Sequence, residues 1–381
     1  MPDQSKNSAN QIGLVLSGGG ARAAYQVGVL RAIANILPRE TRNPFNVITG
    51  TSAGALNAAS LATHAQRLRT GIRTLEYVWK NIRSDQVYRL NTAGILSNTS
   101  RWVMAMVRNR ATETPVSLLN NSPLEELLSK VIKFERIQHN IDTGLIDAVS
   151  VTASGYTNGE SVSFYQAVKG ITDWTGPHRK GIRTKLTLQH LLASSAIPVI
   201  FPAVNIDDQY YGDGAIRQLA PTSTALHLGA RKIFAIGVSG NRSKTTLIEP
   251  AETKNYPSLS QIVGHILNSA FVDTLENDLE FLRHMNDVLP YVSERKLLKN
   301  NIRHRVVDLL EISPSKDISA LASEYYDELP KAMKLFVRET SSGTMLSLLL
   351  FEPGYCTALM QLGQLDAMEK EDQIKEFLIK D

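Results

Sequence analysis

Two junctions near the start of the chain constrain its fold more than any other feature. Each marks the point where a short apolar run gives way, through glycine, to a helical pattern. "IGLVLS" (residues 12–17) has the length of a strand and runs into Gly18-Gly19-Gly20, after which Val27, Leu30, Ala34 and Leu37 fall on one helical face until Pro38. A second apolar run, residues 45–49, enters "GTSAG" (residues 50–54), and residues 53–62 then read as a helix of small side chains able to pack closely on a sheet. Strand, helix, strand, helix in so short a space predicts a parallel sheet covered on its faces.

The later chain is less regular. Residues 85–122 break the rhythm with Asn, Ser, Thr and Gly around a more apolar piece at 102–107, which marks a candidate flap or surface-binding segment. "NNSPLEELLSKVIKF" restarts a helix, with Pro123 in its first turn followed by Glu125 and Glu126. Residues 148–153 and 233–238 read as further buried strands, and "VNIDDQYYGDGA" as a hairpin turning at Asp207-Asp208. From about residue 301 the apolar pattern is largely helical. At 381 residues, 43% hydrophobic and 20% charged, the chain has the material for one large α/β domain over residues 11–300, with a helical extension over 301–381. Residues 1–10 are polar and expected to be disordered.

Cys356 is the single cysteine, so no internal disulfide can form and a reducing compartment is expected. The first eleven residues lack the charged-then-apolar signature of a secretory signal, and no stretch reaches the 18 apolar residues of a spanning helix. A cytoplasmic protein, at most peripheral on a membrane, is the expectation. The net charge of +4 is unevenly spread. Between residues 61 and 110, nine basic residues (Arg67, Arg69, Arg73, Lys80, Arg83, Arg89, Arg101, Arg108 and Arg110) face only Glu76 and Asp85. Such a run is either a solvated helical face or a surface drawn to anionic lipid. No nucleic-acid motif accompanies it.

Chemistry concentrates in three places. The first is Gly18, Gly19 and Gly20 at a strand-to-helix turn, where several backbone N–H groups can converge on negative charge. Gly18-x-Gly20-x-x-Ala23 also satisfies a dinucleotide fingerprint, but that reading expects an acidic residue at the end of the second strand, where GTSAG stands instead. The second is Ser52 between Gly50 and Gly54, which has the form of a nucleophile elbow, although G-x-S-x-G arises by chance in roughly one chain in ten of this length. Parallel strands adjacent in order would bring both turns to one edge of the sheet. The third is Asp213 in "GDG", which is an ordinary turn aspartate or the base that a serine nucleophile needs. Arg22 opposes the helix dipole from the first turn, so a ligand phosphate or a buried carboxylate is expected to face it. None of the eight histidines (His64, His139, His178, His190, His227, His265, His284, His304) carries a triad or metal signature. No cofactor, metal or calcium loop is implied, and activity in chelator is expected.

Together, "GGGARAAY", "GTSAG" and "DGA", with "SSAIPVIFPAV" leading into the last, resemble the patatin-like phospholipase family over roughly residues 11–240. The resemblance implies a three-layer α/β/α sandwich with a mainly parallel central sheet and hydrolysis of lipid acyl esters by a Ser-Asp dyad without histidine. It implies Ser52 as nucleophile, Asp213 as general base, the amides of Gly18, Gly19 and Gly20 as oxyanion hole, and Arg22 beside the glycerophosphate or supporting the loop. Ala23 departs from the family's usual glycine at that position. The expected partner is a membrane lipid or lysolipid. Head group, acyl position and oligomeric state stay open, a homo-oligomer included. The rival functions are a nucleotide- or phosphate-binding regulatory module and a catalytically inactive membrane-associated scaffold.

Overall fold

The computed structural model describes residues 11–90, 117–239, 269, 271, 274–300, 304–336 and 343–379. Most of the expected flap, its apolar piece at 102–107 included, and the expected disordered residues 1–10 lie outside them.

The sheet is built outward from two glycine-terminated strands. β1 (Ile12–Leu16) pairs in parallel with β2 (Val47–Thr51), register Leu16 to Gly50. Beside these, further strands are β3 (Arg89–Leu90) and β4 (Leu119–Asn120), a separate two-stranded pair, and β5 (Ala148–Gly155), β6 (Ser161–Ala167), β7 (Trp174–Gly176) and β8 (Arg179–Arg183). The hairpin β9 (Val204–Ile206) and β10 (Gln209–Asp213) turns at Asp207 and Asp208, both at positive φ; β11 (Lys232–Ile236) and β12 (Asp308–Ile312) complete the set. The main sheet runs β12-β11-β1-β2-β5-β6-β8-β7. The first five of these strands are mutually parallel, and the antiparallel pairings lie on the far side of β2. The sheet is thus mixed, with the expected parallel core in one half.

One edge of β5 determines where chemistry can occur. β2 occupies its first five residues, ending with Thr51 opposite Thr152. β10 then occupies the next three on the same edge but runs the other way, ending with Asp213 opposite Ala153. Two strands therefore approach each other head-on along a third and stop one register position apart.

The strands alternate between two apolar layers, as residues in a sheet covered on both faces must. Leu14, Leu16, Ile48, Val149, Val151, Phe234 and Ile236 face one core, while Val15, Val47, Ala148, Ile233 and Ala235 face the other. The thicker layer holds α1 (Ala24–Ile36), α2 (Ala53–Thr63), α3 (Leu68–Asn81) and α4 (Ser122–Val131). The thinner one holds α5 (Pro221–His227) and α6 (Thr274–Val288).

The C-terminal part is mostly helical and joins both the sheet and the thicker layer. β12 pairs with β11, and α7 (Gly343–Leu349) and α8 (Pro353–Met368) pack into the larger core. α1 and α8 cross at two glycines. A Cβ on Gly28 would lie 2.0 Å from the Met360 carbonyl oxygen, and one on Gly363 would lie 2.2 Å from that of Tyr25. Tyr25 adds a hydrogen bond at 2.9 Å to Asp366, which also accepts from Ser315. No single described helix is long and apolar enough to cross a membrane.

Candidate active site

Ser52 closes β2 and caps α2. Its backbone is forced into an unusual conformation, φ 54 and ψ −129, of a kind that costs a non-glycine residue on the order of 1–3 kcal/mol. Close packing around the turn over-determines it. A Cβ on Gly50 would lie 2.4 Å from the Gly54 carbonyl oxygen, and one on Gly54 would lie 2.4 Å from that of Leu16. This is why GTSAG needs both its glycines. A serine heading a helix normally turns its hydroxyl onto the helix's own amides, but Ser52 makes no such cap. Its Oγ donates instead to Asp213 Oδ2 at 2.6 Å.

Asp213 is held from several sides. Its N–H donates to the Ala196 carbonyl at 2.8 Å, and its Oδ1 accepts from the Ala215 N–H at 3.0 Å. Gly214 leaves no room for a side chain, since a Cβ there would lie 2.1 Å from the Thr152 carbonyl oxygen. Asp213 has 0% of its surface exposed and Ser52 has 2%. Burial pushes the Asp213 carboxyl up from an ordinary 3.8 to about 7, against the hydrogen bonds from Ser52 and Ala215, which favour the carboxylate.

The glycine loop lies alongside. Continuing the register of β1 against β2 brings Gly18 beside Ser52, and a Cβ on Gly18 would stand 3.0 Å from that of Ser52. Gly19 has no space for a side chain against Val238, and Gly20, at φ 54, has none against the Leu348 carbonyl. Gln26 donates to the Ser17 carbonyl at 2.8 Å, while Asn57 donates to Gln26 and to the Ala23 carbonyl. This buried amide network fixes the loop on the first turn of α1. Neither amide was singled out in the sequence, where a polar residue inside a helical pattern carries no mark of its partner.

Arg22 is buried, and its guanidinium donates to Ser347 at 2.9 Å and Ser319 at 3.2 Å, both in the C-terminal helices. Ser194 was also missed beyond its place in the quoted "SSAIP". It accepts from the Ser52 N–H at 2.9 Å and donates to the Thr152 carbonyl at 2.6 Å, tying the elbow to β5. Among the described residues, the side-chain partners of Ser52 and Asp213 include no histidine. His190 meets Phe164 edge to face and is pushed down to about 4 by burial, and His227 stacks on Trp174.

Ser52 lines an apolar cavity with an enclosed volume of about 60 Å³, walled by Leu56, Leu75, Trp79, Leu128, Phe201 and Phe351. A hydroxyl paired with a dry carboxylate, a turn of glycines beside it and a greasy cavity behind it suit attack on an ester whose acyl part is a hydrocarbon chain.

The patatin-like phospholipase family model matches residues 14–226, more than half of the chain. Triacylglycerol lipase 5 of Saccharomyces cerevisiae is 24% identical over 255 residues, which cover 65% of this chain and 29% of that protein. A cGAMP-activated phospholipase of Pseudomonas aeruginosa is 26% identical over 217 residues, 56% of this chain and 55% of that one. The chain thus spans less than two thirds of either relative. Among solved structures, human GIVD cytosolic phospholipase A2 with a fluorophosphonate inhibitor aligns at a TM-score of 0.45 and 13% identity, over 99% of this chain and 60% of its own.

Proposed function

Because the chain belongs to the patatin-like phospholipase family, we propose that it is a serine lipid acyl hydrolase that cleaves acyl esters of phospholipids or lysophospholipids, with Ser52 as nucleophile and Asp213 as general base. The observation that carries this reading is the 2.6 Å bond between two buried side chains, one of which, Ser52, lines an apolar cavity.

In the proposed reaction, the Asp213 carboxylate takes the Ser52 proton as Oγ attacks the ester carbonyl. The amides of Gly18, Gly19 and Gly20 receive the developing oxyanion. Loss of one such donor typically costs about a hundred- to a thousandfold in rate. Protonated Asp213 then gives its proton to the departing alcohol or lysolipid. Water, deprotonated by the same carboxylate, attacks the acyl-enzyme, and the proton passes from Asp213 to Ser52 Oγ as the fatty acid leaves. An ordinary aspartate is a poor base at neutral pH, but one pushed up to about 7 accepts a proton far more readily. Arg22 takes the supporting role in this scheme, bracing the glycine loop through Ser347 and Ser319.

The test is labelling by a fluorophosphonate probe, followed by hydrolysis of phospholipid, lysophospholipid and triacylglycerol with mass analysis of the products, in chelator. Triacylglycerol is included because one relative is named as a lipase for it. Ser52→Ala abolishes labelling, and both Ser52→Ala and Asp213→Asn lower turnover by about a thousandfold or more. An active Asp213→Asn variant, or a folded protein that the probe leaves unlabelled, would overturn the assignment.

A further inference from the structure

Among the described residues, two buried side-chain polar atoms have no hydrogen-bond partner, Ser60 Oγ and Tyr355 Oη. Ser60 lines the cavity that opens at Ser52. A serine hydroxyl inside a helix ordinarily finds the carbonyl one turn back. Ser60 does not, although it is 1% exposed. Asn57, the amide-bearing residue of the wall, is fully engaged: it donates to Ala23 and Gln26, and its oxygen accepts from the Trp79 indole at 2.9 Å. Ser52 donates to Asp213 and Ser195 to the Leu191 carbonyl, and the remaining side chains of the wall are apolar, so a trapped water finds few polar partners there.

We propose that Ser60 selects acyl chains bearing an oxygen near mid-chain, a hydroxyl above all. The inference rests on the acyl-hydrolase reading of this cavity. A plain hydrocarbon chain would leave Ser60 unpaired, whereas a chain hydroxyl both donates and accepts. Position follows from the helix. Ser52 at the head of α2 and Leu56 and Ser60 on it recur at intervals of four, all lining the cavity. Eight residues at 1.5 Å rise put Ser60 about 12 Å beyond the nucleophile. An extended chain advances about 1.3 Å per carbon, given the length of a C–C bond, so the oxygen belongs near the ninth or tenth carbon.

The experiment measures displacement of a fluorescent fatty acid by octadecanoic acid and by 10-hydroxyoctadecanoic acid, in the wild type, Ser60→Ala and Ser60→Thr. Relative to Ser60→Ala, the wild type favours the hydroxy acid about five- to tenfold, the worth of one net hydrogen bond. Ser60→Thr keeps that preference, and affinity for octadecanoic acid stays within about twofold throughout. Equal ratios in the wild type and Ser60→Ala, or binding of neither acid, would overturn the inference. Because binding needs no turnover, a Ser60-dependent preference without hydrolysis of any ester would sink the proposed activity alone. Hydrolysis with an unchanged ratio would sink this inference alone.

Discussion

In the proposed reaction Asp213 must be ionised to act as a base, yet none of its surface is exposed in the folded protein. Unfolded, its carboxyl titrates near 3.8; folded, near 7. Between those values the native protein holds a proton that the unfolded chain has released. The group's contribution to stability is therefore full below pH 4, declines from there to about pH 7 and is absent above. At 1.36 kcal/mol per pH unit, the whole swing is on the order of 4 kcal/mol. Thermal melts from pH 5 to 8 should show Asp213→Asn losing less stability than the wild type as pH rises, whereas equal slopes would mean that Asp213 is already charged in the acidic range. In the same window, wild-type turnover should rise with pH as the carboxylate forms. The glycines around Ser52 and Asp213 could be read from the chain because they stand in short turn motifs, although the contacts that require them reach as far as Leu16 for Gly54 and Thr152 for Gly214. The partners of Arg22 could not. Ser347 lies 325 positions away and Ser319 lies 297 away, and nothing local points to either.

At the scale of elements, the site is made by two strand ends, β2 and β10, meeting along β5, and by helices crossing behind the glycine loop. Gly28 and Gly363 let α1 and α8 touch backbone to backbone. Valine at either position must push the helices apart, a change that typically costs about 1–3 kcal/mol and here strikes carbonyl oxygens that cannot rotate away. Gly28→Val and Gly363→Val should each lower the melting temperature measurably; a wild-type melt from either would refute the crossing. The strand-helix order of the first 63 residues and the hairpin before Asp213 were legible, since apolar runs there stop at glycine or at Asp-Asp. β12 was not. "DLLEI" is too short for a period of two to stand out within a region of helical pattern, and it becomes a strand only because β11 offers it an open edge. Nor does any local signal distinguish Gly363 as a crossing point from a glycine merely tolerated in a helix.

For the molecule as a whole, the question is how it meets lipid. Leu75, Val78 and Trp79 of α3 wall the cavity, while Arg67, Arg73, Lys80, Arg83 and Arg89, on that helix and its flanks, are exposed to solvent. Glu76 is already bridged to Arg31 and Lys80. Arg69 is half-buried and donates to the Leu37 carbonyl at 2.9 Å, and Arg101, Arg108 and Arg110 lie outside the described residues. A cation near an anionic membrane is worth about 1 kcal/mol, so reversing Arg67, Arg73 and Arg83 to Glu should weaken binding to phosphatidylserine vesicles by well over a hundredfold and remove most of its salt dependence. Binding that is indifferent to both charge and salt would show that this face does not meet the bilayer. The clasp of α8 on α1 has a consequence for biosynthesis. A ribosome releases Ser52 and Asp213 well before residues 343–368, so the half-made protein owns its reacting groups but lacks the brace behind them. On the proposed reaction, hydrolysis of lipid therefore waits until α7 and α8 have docked.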